Sequence, residues 1–563
     1  MPGYAPIRVV TARSGAEPRP AARRRAVSPR EAKRRVPVMR SETSSLCIAL
    51  AVSLALLPAA PLAAQLSSIG LSEVGVQWFE NEAPGEFDQF GWALASGDFN
   101  GDGADDLATG VPGDADPGGS GCSSCGSVVV RYGVPGAGLA AGPAPTVLRQ
   151  ESGQGADNEE FGKALAAADF DGDGFDDLAV GIPFDGPSVL GAVQIFFGAA
   201  GGLSAVGSQR LEELDAGQPE HICPLAGFGW ALAAGDFDGD PFADLAIGAP
   251  WACENNGTAL VDGGAVFVAH GGDTGLLPFS GYRISQDSIF IFEEVESGDR
   301  FAWTLATGDF DADSFDDLAI GVPGEGHHGA LEIIMGSQFG LIFADSAYWA
   351  PGALGQVPEI GDQLGWALAS ADFDGDGHDD LAIGDPFEDP DVSLVENAGT
   401  VSVAFGSPAG FDLARTRNLV QDALYGPGSD EPWDQFGFAL AAGDFDGDGA
   451  ADLVVGHPGE SVFAPNPGAA SVLMGPAPGG RVRAITPGFH GIPGDPFQIN
   501  QFFGAALAAG DFDATGFSDL AIGVPFFNPT SVENTGAEVV LYGALFADGF
   551  ELGSPDRWTS VVN

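Results

Sequence analysis

Residues 161–183 have the sequence FGKALAAADFDGDGFDDLAVGIP, and the chain repeats variants of this stretch seven times. Each copy opens with Phe-Gly or a close equivalent, continues through small residues and an acidic loop, and closes with Gly-x-Pro. The opening residues are Phe90, Phe161, Phe228, Phe301, Leu364, Phe436 and Phe503. Their spacing varies only between 63 and 73 residues. A period this regular predicts a repeat architecture.

Each repeat contains about four short apolar segments separated by Gly, Pro and Asp. In the third copy these segments are 229–237, 244–247, 265–269 and 282–285. Short apolar segments between turn residues are typical of strands. Four strands in each of seven units predict an all-β fold, a seven-bladed β-propeller of four-stranded antiparallel blades.

The ends of the repeat region indicate how the propeller closes. The last copy supplies only three strands, ending near residues 539–542, whereas residues 74–80 resemble the fourth-strand segments before the other openers. An N-terminal strand that completes the last blade would leave no exposed edge there. We therefore expect residues 65–89 to supply this closing strand and residues 90–545 to form one propeller. Residues 546–563 are a C-terminal tail, either a sorting signal or a segment packed on the last blade.

An acidic loop joins the first two strands of every repeat. Its pattern, Asp-x-Asp-x-Asp-Gly-x-x-Asp, places oxygen donors at loop positions 1, 3, 5 and 9. Carboxylates this close repel one another at neutral pH, and a hard cation with many oxygen ligands offsets the repulsion. Calcium suits this donor set better than magnesium, which prefers few carboxylates and retains water.

The predicted ligands share these four loop positions. In the first three loops they are Asp98, Asn100, Asp102, Asp106, Asp169, Asp171, Asp173, Asp177, Asp236, Asp238, Asp240 and Asp244. In the next three they are Asp309, Asp311, Asp313, Asp317, Asp372, Asp374, Asp376, Asp380, Asp444, Asp446, Asp448 and Asp452. The seventh loop keeps Asp511, Asp513 and Asp519 but has Thr515 at position 5. We therefore predict Ca²⁺ at about six sites and a weaker seventh.

Two other interpretations of these loops remain open to test. Asp and Gly also form tight turns without a metal, although six aligned copies make that interpretation weaker. An EF-hand shares the first five positions, but the loops have no Glu at position 12 and no flanking helices.

The repeats resemble the FG-GAP repeats of the integrin α-subunit propeller. The resemblance covers about 470 of the 563 residues. Besides the Phe-Gly openers, it depends on the Gly-x-Pro closers at Gly110/Pro112, Gly181/Pro183, Gly248/Pro250, Gly321/Pro323, Gly384/Pro386, Gly456/Pro458 and Gly523/Pro525. It implies a seven-bladed propeller with calcium in the hairpin between strands one and two of some blades.

The chain departs from the family pattern in two openers and two loops. Ala302 follows Phe301, and Leu364 replaces an aromatic opener. In the third loop Pro241 stands where Gly usually follows the third Asp, and in the fourth loop Ala312 and Ser314 replace glycines. We expect these two loops to bind calcium more weakly.

The first 64 residues differ from the repeats. Residues 1–40 carry 11 of the 22 Lys and Arg but only two acids, and an apolar stretch and small residues follow up to Ala64. This order is typical of a secretory signal peptide, so we expect removal of residues 1–64. Met39 is an alternative start, and a nucleic-acid-binding leader is an alternative interpretation. The apolar stretch, 46–57, is too short for a stable membrane span.

The net charge limits the partners. It is −57 for the whole chain, and without residues 1–64 there are 76 acidic against 11 basic residues. Such a surface repels nucleic acid and anionic lipid. We therefore expect no nucleic-acid partner and no membrane span in the mature chain. A secreted, cell-surface or periplasmic location with available calcium fits this charge.

Four cysteines remain after the predicted cleavage, and an even number in an exported chain predicts disulfides. Cys223 precedes the third opener and Cys253 follows that repeat's Gly-Ala-Pro, so both are expected on the face opposite the calcium loops and paired. Cys122 and Cys125 favour a local disulfide over a redox pair, because no thioredoxin-like βαβ context surrounds them. A zinc site from the four cysteines would need a different clustering.

Neither a nucleophile elbow, a His-Glu-x-x-His motif nor a phosphate loop occurs in the sequence. We therefore predict no catalytic residues, no organic cofactor and no enzymatic activity. The variable loops after Gly-x-Pro carry aromatic residues that either anchor a partner or plug the centre of the propeller: Trp251, Phe387, Phe463, Phe526 and Phe527.

The first functional hypothesis is an exported calcium-binding propeller that acts as a binding or adhesion-type module for an extracellular protein or polysaccharide. One alternative is a secreted hydrolase or lyase, directed at polysaccharide or phospholipid, with the propeller as scaffold. Another is a structural component of the cell envelope.

Overall fold

The computed structural model describes residues 76–81, 85, 87–115, 124–150, 158–186, 189–212, 225–255, 260–277, 282–286, 288, 295–390, 395–461, 467–475, 481–488, 492, 500–528 and 534–543. The predicted leader and signal peptide (1–64, including Met39) and the predicted tail (546–563) lie outside these residues. Cys122, Cys223 and Phe463 lie outside them as well.

The described chain begins with strand β1 (Val76–Glu80), and the repeats then supply strands in chain order. Repeats one to three contain β2 (Leu94–Gly97), β3 (Asp106–Val111), β4 (Ser127–Arg131), β5 (Thr146–Leu148), β6 (Leu165–Ala168), β7 (Asp177–Ile182), β8 (Ala192–Phe196), β9 (Gln209–Glu212), β10 (Ala231–Gly235), β11 (Asp244–Ala249), β12 (Cys253–Asn255), β13 (Leu260–Asp262), β14 (Ala265–Ala269) and β15 (Tyr282–Ile284). Repeats four and five contain β16 (Thr304–Gly308), β17 (Asp317–Val322), β18 (Ala330–Met335), β19 (Ile342–Trp349), β20 (Ala367–Ala371), β21 (Asp380–Asp385), β22 (Thr400–Ser407) and β23 (Gly410–Leu419). Repeats six and seven contain β24 (Ala439–Gly443), β25 (Asp452–His457), β26 (Ala469–Met474), β27 (Arg481–Ile485), β28 (Ala506–Gly510), β29 (Asp519–Val524) and β30 (Ala537–Leu541).

Helical segments are short and lie in the connections. Among the residues that the structure describes, they are the α-helix α1 (Gln421–Tyr425) and 3₁₀ turns at Leu139–Ala141, Glu325–His327 and Pro351–Leu354. In the third blade, β12 and β13 form an additional two-stranded ribbon beyond Gly-x-Pro.

Seven four-stranded antiparallel sheets form the blades, as the repeat period predicted. In six of them the four strands follow one another in chain order from the inside outwards. Neighbouring innermost strands contact one another in a closed ring, in which β28 lies beside both β24 and β2. The fold is therefore an all-β seven-bladed propeller.

The last blade closes as expected. Its strand order is β1-β30-β29-β28, and β1 pairs antiparallel with β30 so that Val76 faces Leu541 and Glu80 faces Ala537. The N-terminal strand thus occupies the outer position that the chain's own fourth strand fills in the other blades. This pairing covers the free edge of β30.

The core lies between adjacent blades. All six residues of the second strand are buried in every blade, which explains its continuous apolar sequence. The opener side chains, including Leu364, are buried between this strand and the neighbouring blade. Burial of these large side chains in every interface adds to the hydrophobic stabilisation that holds the ring together.

The two glycines of the motif meet across each blade interface. A Cβ on Gly110 of the first Gly-x-Pro would lie 2.1 Å from the carbonyl oxygen of Gly162, which follows the second opener. Gly162 itself has a φ of 89°, in the left-handed region that favours glycine. The fourth repeat is different, because Ala302 adopts a φ of 67° at the corresponding position. The motif is therefore a packing requirement as well as a turn signal.

Candidate metal sites

The aspartate at loop position 9 begins the second strand of each blade and is buried in all seven. In the sixth blade, Asp452 Oδ1 accepts the backbone N–H of Gly475 at 2.8 Å, and its Oδ2 accepts that of Phe445 at 3.0 Å. The other blades repeat the bond from a glycine near the end of the third strand. Position 9 therefore joins the metal loop to the rest of its blade.

The aspartate at position 1 holds the loop backbone. In the sixth loop, Asp444 Oδ1 accepts the N–H groups of Gly447 and Asp448, and its Oδ2 accepts that of Gly449 at 3.0 Å. The bond from position 6 to Oδ2 recurs in six loops, including the seventh, where Gly516 donates at 2.7 Å. The loss of the position-5 carboxylate thus leaves this part of the seventh loop intact.

Burial makes ionisation of these loops costly. It raises the pKa of the position-9 carboxyls to about 8 in Asp106, Asp317 and Asp519, and to about 7 in Asp177, Asp380 and Asp452. The pKa values of Asp171, Asp311 and Asp446 at position 3 are also raised, first by burial and then by neighbouring carboxylates. A bound cation would offset both the cost of burying these carboxylates and the repulsion between them.

Position 3 gives the clearest indication that the loops fit a cation. Its Oδ1 atom is buried without a hydrogen-bond partner in four loops, at Asp311, Asp374, Asp446 and Asp513. A buried carboxylate oxygen without a donor is costly. Calcium takes carboxylate and carbonyl oxygens in flexible geometry, so the donor set suits it.

The structure brings the predicted ligands together. Carboxylate oxygens lie within 4.8 Å of one another in groups of three from several loops: Asp169/Asp171/Asp177, Asp236/Asp238/Asp240, Asp309/Asp311/Asp317 and Asp372/Asp374/Asp380. The first loop differs in detail, since Asn100 Nδ2 donates to both oxygens of Asp106 at 3.1 and 3.2 Å. Rotation of this amide would present its oxygen instead.

A second set of aspartates, which the sequence analysis did not single out, links four of the seven loops to the next blade. It precedes position 9 and gives the pair Asp-Asp at the start of the second strand. Asp176 Oδ2 accepts the N–H of Asp98 at 2.9 Å, and the Asp98 carbonyl accepts the N–H of Asp176 at 3.3 Å. Equivalent side-chain bonds come from Asp105, Asp316 and Asp379. The Asp-Asp pair at the start of the second strand was the sequence signal from which this link between blades could have been predicted.

The third and fifth loops carry additional basic groups. His270, directly after β14, places Nδ1 3.1 Å from Asp244 Oδ2 and 3.4 Å from Asp238 Oδ2. Its pKa is raised, first by the hydrogen bond with Asp244. In the fifth loop, Arg415 contacts Asp374, and its Nη1 lies 3.5 Å from Asp376 Oδ2. These two loops therefore differ from the others in the charge around their donors.

On the opposite face, aromatic residues pack towards the innermost strands. Trp303 lies between Trp230 and Trp366, with ring centroids 4.8 and 5.0 Å away. The loop residues Trp251 and Phe387 contact this series at 4.8 and 5.4 Å. In the last blade, Phe526 contacts Trp92, and Phe527 packs against Trp78. For Trp251, Phe387 and Phe526, this packing favours the interpretation that they plug the centre. Phe527 instead contacts the outermost strand β1 and belongs to the core between blades.

The same face exposes three bulky residues in a strained backbone conformation. Phe87, Leu225 and Trp433 lie in the connections that lead into the first, third and sixth openers, and about half of each side chain is exposed. Their φ angles are 68°, 70° and 70°. Asn158 and Asn500 take the left-handed conformation in other copies of this connection. A positive φ is an outlier for a bulky residue, and Gly or Asn would fit with less strain.

One group in the sixth blade has the connectivity of a hydrolytic triad. His457 Nε2 lies 2.9 Å from Ser471 Oγ, and its Nδ1 lies 3.3 Å from Glu460 Oε2. Ser471 is completely buried and also accepts the hydroxyl proton of Tyr425 at 2.7 Å. In this geometry, the group serves as a buried hydrogen-bond network that joins α1 to the blade.

Cys125 and Cys253 are both disulfide-bonded. Cys253 begins β12, beyond the end of β11 that is opposite the metal loop, as expected. The predicted partners Cys122 and Cys223 lie outside the described residues, so both pairings stay predictions. Within the described part of the chain, no helix has the length and apolar character to cross a bilayer.

Comparison with known proteins agrees with this geometry. A family model described as FG-GAP repeat matches residues 90–121, 161–196, 228–268, 301–333, 364–403, 436–473 and 503–541, one match for each blade. Similar proteins include phosphatidylinositol-glycan-specific phospholipase D from Rattus norvegicus, 29% identical over 38% of this chain and 25% of its own length. Integrin alpha-PS2 from Drosophila melanogaster is 31% identical over 42% of this chain and 16% of its own, and integrin alpha-V from Gallus gallus is 30% identical over 40% and 20%. The matched regions thus span a quarter or less of these relatives. Seven matched repeats in seven blades make the chain an FG-GAP repeat protein with an integrin α-like β-propeller.

Proposed function

We propose that this propeller is an extracellular binding module, stabilised by calcium, that holds a protein or polysaccharide partner on the face opposite its metal loops. The similarity to integrin alpha chains supports an adhesion-type role. A secreted, cell-surface or periplasmic location follows from the predicted signal peptide and from the strongly acidic surface.

Calcium would be held by the carboxylates at positions 1, 3, 5 and 9 of each loop. The buried, unpartnered Oδ1 atoms of Asp311, Asp374, Asp446 and Asp513 support this assignment. With calcium bound, the hairpins between the first two strands would become rigid, because position 9 is already bonded to the backbone after the third strand. The other face would then be presented on a stable ring.

The observation that carries the binding role is the strained exposure of Phe87, Leu225 and Trp433. A left-handed backbone costs a non-glycine residue about 1–2 kcal/mol, and about half of each of these side chains nevertheless stays exposed. Large aromatic and aliphatic side chains that remain exposed on one face are typical anchors for a macromolecular partner. The three residues come from three different blades, which suits a broad partner surface.

The test replaces the three anchors by glycine. The variant Phe87→Gly/Leu225→Gly/Trp433→Gly should fold with equal or slightly higher stability, because glycine relieves the strained φ angles. Binding to arrays of purified extracellular proteins and polysaccharides, in millimolar calcium, should weaken by at least about tenfold for each anchor removed. Phe339→Ser is the matched control, since Phe339 is 74% exposed in the turn between β18 and β19 on the metal-loop face. A triple variant that binds as well as the parent would exclude this face.

A second candidate function is a scaffold for phospholipid-directed hydrolysis. It is supported by the relative named as a phosphatidylinositol-glycan-specific phospholipase D. Release of a glycosylphosphatidylinositol-anchored reporter from vesicles, compared with His457→Gln, would test both the activity and the buried triad-like group. Failure to bind any array component and failure to release the reporter would together favour a structural role in the cell envelope.

A further inference from the structure

The third metal loop differs from the other six in the chemistry of its donors. Near the end of the third strand of each blade, a glycine donates its backbone N–H to the position-9 aspartate. In the other blades the residue before this glycine is Tyr132, Phe197, Met335, Phe405, Met474 or Tyr542. In the third blade it is His270, so an imidazole nitrogen occupies a place where the other blades have aromatic, phenolic or thioether groups.

We propose that Asp238, Asp244 and His270 form a mixed nitrogen–oxygen site for a divalent transition metal, with zinc as the best fit. The three side chains offer ligand atoms that all lie within 4.8 Å of one another. This inference refines the calcium assignment at one loop of the proposed function and leaves the other loops unchanged.

The choice of metal follows from the nitrogen donor. Calcium and magnesium take oxygen ligands, whereas neutral imidazole is a common ligand of zinc, copper, nickel and iron. The separations from Nδ1 to the carboxylate oxygens, 3.1 and 3.4 Å, also match the edge of a tetrahedron. Bonds of 2.0–2.1 Å give edges of about 3.4 Å around zinc. Three protein ligands would leave a fourth position for water or a partner's side chain.

The two carboxylates have the capacity to bind an ion. Asp244 Oδ1 accepts the N–H of Gly271, and its Oδ2 accepts that of Phe237, which leaves two of its four lone pairs. Asp238 Oδ1 accepts the N–H of Asp240, and its Oδ2 faces the imidazole. Asp244 is fully buried, but 26% of the Asp238 and 13% of the His270 side chain is exposed. A small ion can therefore reach the site from solvent.

Pro241 makes the same loop a poorer calcium site. In the other six loops the N–H at position 6 donates to Oδ2 of the position-1 aspartate, and proline has no N–H to donate. Asp236 accordingly keeps the bond from Gly239 but has none from position 6. The loop has thus lost a backbone N–H that orders the position-1 carboxylate and gained a nitrogen donor beside it.

The test uses the full chain loaded with calcium. After addition of zinc and dialysis against zinc-free buffer with millimolar calcium, metal analysis should find one zinc retained per chain. His270→Phe, which introduces the residue found at the equivalent place in blade two, should lose that zinc or bind it at least about 100-fold more weakly. Cobalt should give the visible d–d bands of a low-coordinate nitrogen–oxygen site in the parent but not in this variant.

Two further variants distinguish the outcomes. Phe197→His should create a second zinc site, since Asp171 and Asp177 occupy positions 3 and 9 of the second loop, as Asp238 and Asp244 do in the third. His378→Phe, on the rim of the fifth loop, should leave zinc retention unchanged. No retained zinc in the parent, or equal retention in parent and His270→Phe, would overturn the proposal and leave His270 as a polar partner of the two carboxylates. If zinc is retained while calcium leaves the melting curve unchanged, the general calcium assignment fails and this site stands.

Discussion

The substitution Asp446→Asn distinguishes a metal-ligating role from a structural role, because only a metal ligand predicts opposite effects on stability with and without calcium. Asp446 Oδ1 is buried without a hydrogen-bond partner, and the pKa of this carboxyl is raised, first by burial and then by Asp448. Without calcium, asparagine removes a poorly solvated charge. The calcium-free variant should therefore be as stable as the parent or more stable by up to about 1 kcal/mol.

With calcium the same substitution should destabilise the protein. At a free calcium concentration ten times Kd, one site stabilises the folded state by about 1.4 kcal/mol. For a propeller of this size, with an unfolding entropy of about 2 cal/mol/K per residue, loss of one site lowers Tm by about 1.5 °C. Loss of six sites, by chelation of the parent, would lower it by about 9 °C.

Scanning calorimetry of both proteins, in millimolar calcium and after chelation, measures this reversal, and isothermal titration should show one calcium site fewer in the variant. Asp273→Asn removes an exposed carboxylate outside the loops and should change Tm by the same small amount in both conditions. If Asp446→Asn lowered Tm equally with and without calcium, the carboxylate would stabilise the blade by itself, and the metal assignment of this loop would be wrong.

Three other results are expected. Burial raises the pKa of position-9 carboxyls such as Asp317 and Asp519 to about 8, well above their unfolded values near 4, so the folded state takes up protons before the unfolded state does. The calcium-free protein should therefore gain stability as the pH falls from about 8 to about 5. A steady loss of stability over this range in calorimetry would contradict this reasoning. Gly110→Ala should lower the free energy of unfolding, measured with denaturant, by about 3 kcal/mol or more, because its Cβ would lie 2.1 Å from the Gly162 carbonyl oxygen. Gly352→Ala, where a Cβ meets no atom within 4 Å, should leave the free energy of unfolding unchanged. Equal effects of the two substitutions would argue against this interface. Deletion of residues 65–80 should expose the edge of β30 and cause association in light scattering, and a monodisperse monomer would show that β1 is not needed for closure.

Much of this architecture could be predicted from the sequence because it repeats. The period gave the number of blades, the small and apolar segments gave the strand order, and the missing fourth strand of the last copy predicted that residues near Val76–Glu80 close the ring. The predicted third strand of the third repeat, 265–269, coincides with β14. Turn residues and buried apolar residues favour the same strand boundaries in every copy, so an ambiguous boundary in one copy can be assigned from the others.

The parts of the site that could not be predicted depend on contacts between distant segments. The loop pattern identified Asp244 as a ligand, but its proximity to His270, 26 positions later, depends on the register between β11 and β14. The link between Asp176 and Asp98 crosses a blade interface. The left-handed conformation of Trp433 runs against its residue type, because bulky residues are rarely found there, and the only signal was the Asn or Gly that stands at this place in four other copies. Repetition predicts the scaffold, whereas these singular contacts need coordinates.

Hydrogen bonds between each metal loop and the next blade couple metal binding in one blade to the stability of the junction with its neighbour. The carbonyl of each position-1 aspartate accepts an N–H from the next blade, and this holds around the whole ring, from Asp98 to Asp176 and finally from Asp511 to Asp105. A cation that orders position 1 in one loop therefore also orders the acceptor on which the next blade depends. At three junctions the next blade has Ala243, Ala451 or Ser518 and lacks the second, carboxylate bond that four junctions have. Metal occupancy should consequently stabilise the junctions unequally, and the ring should open first where only the backbone bond remains.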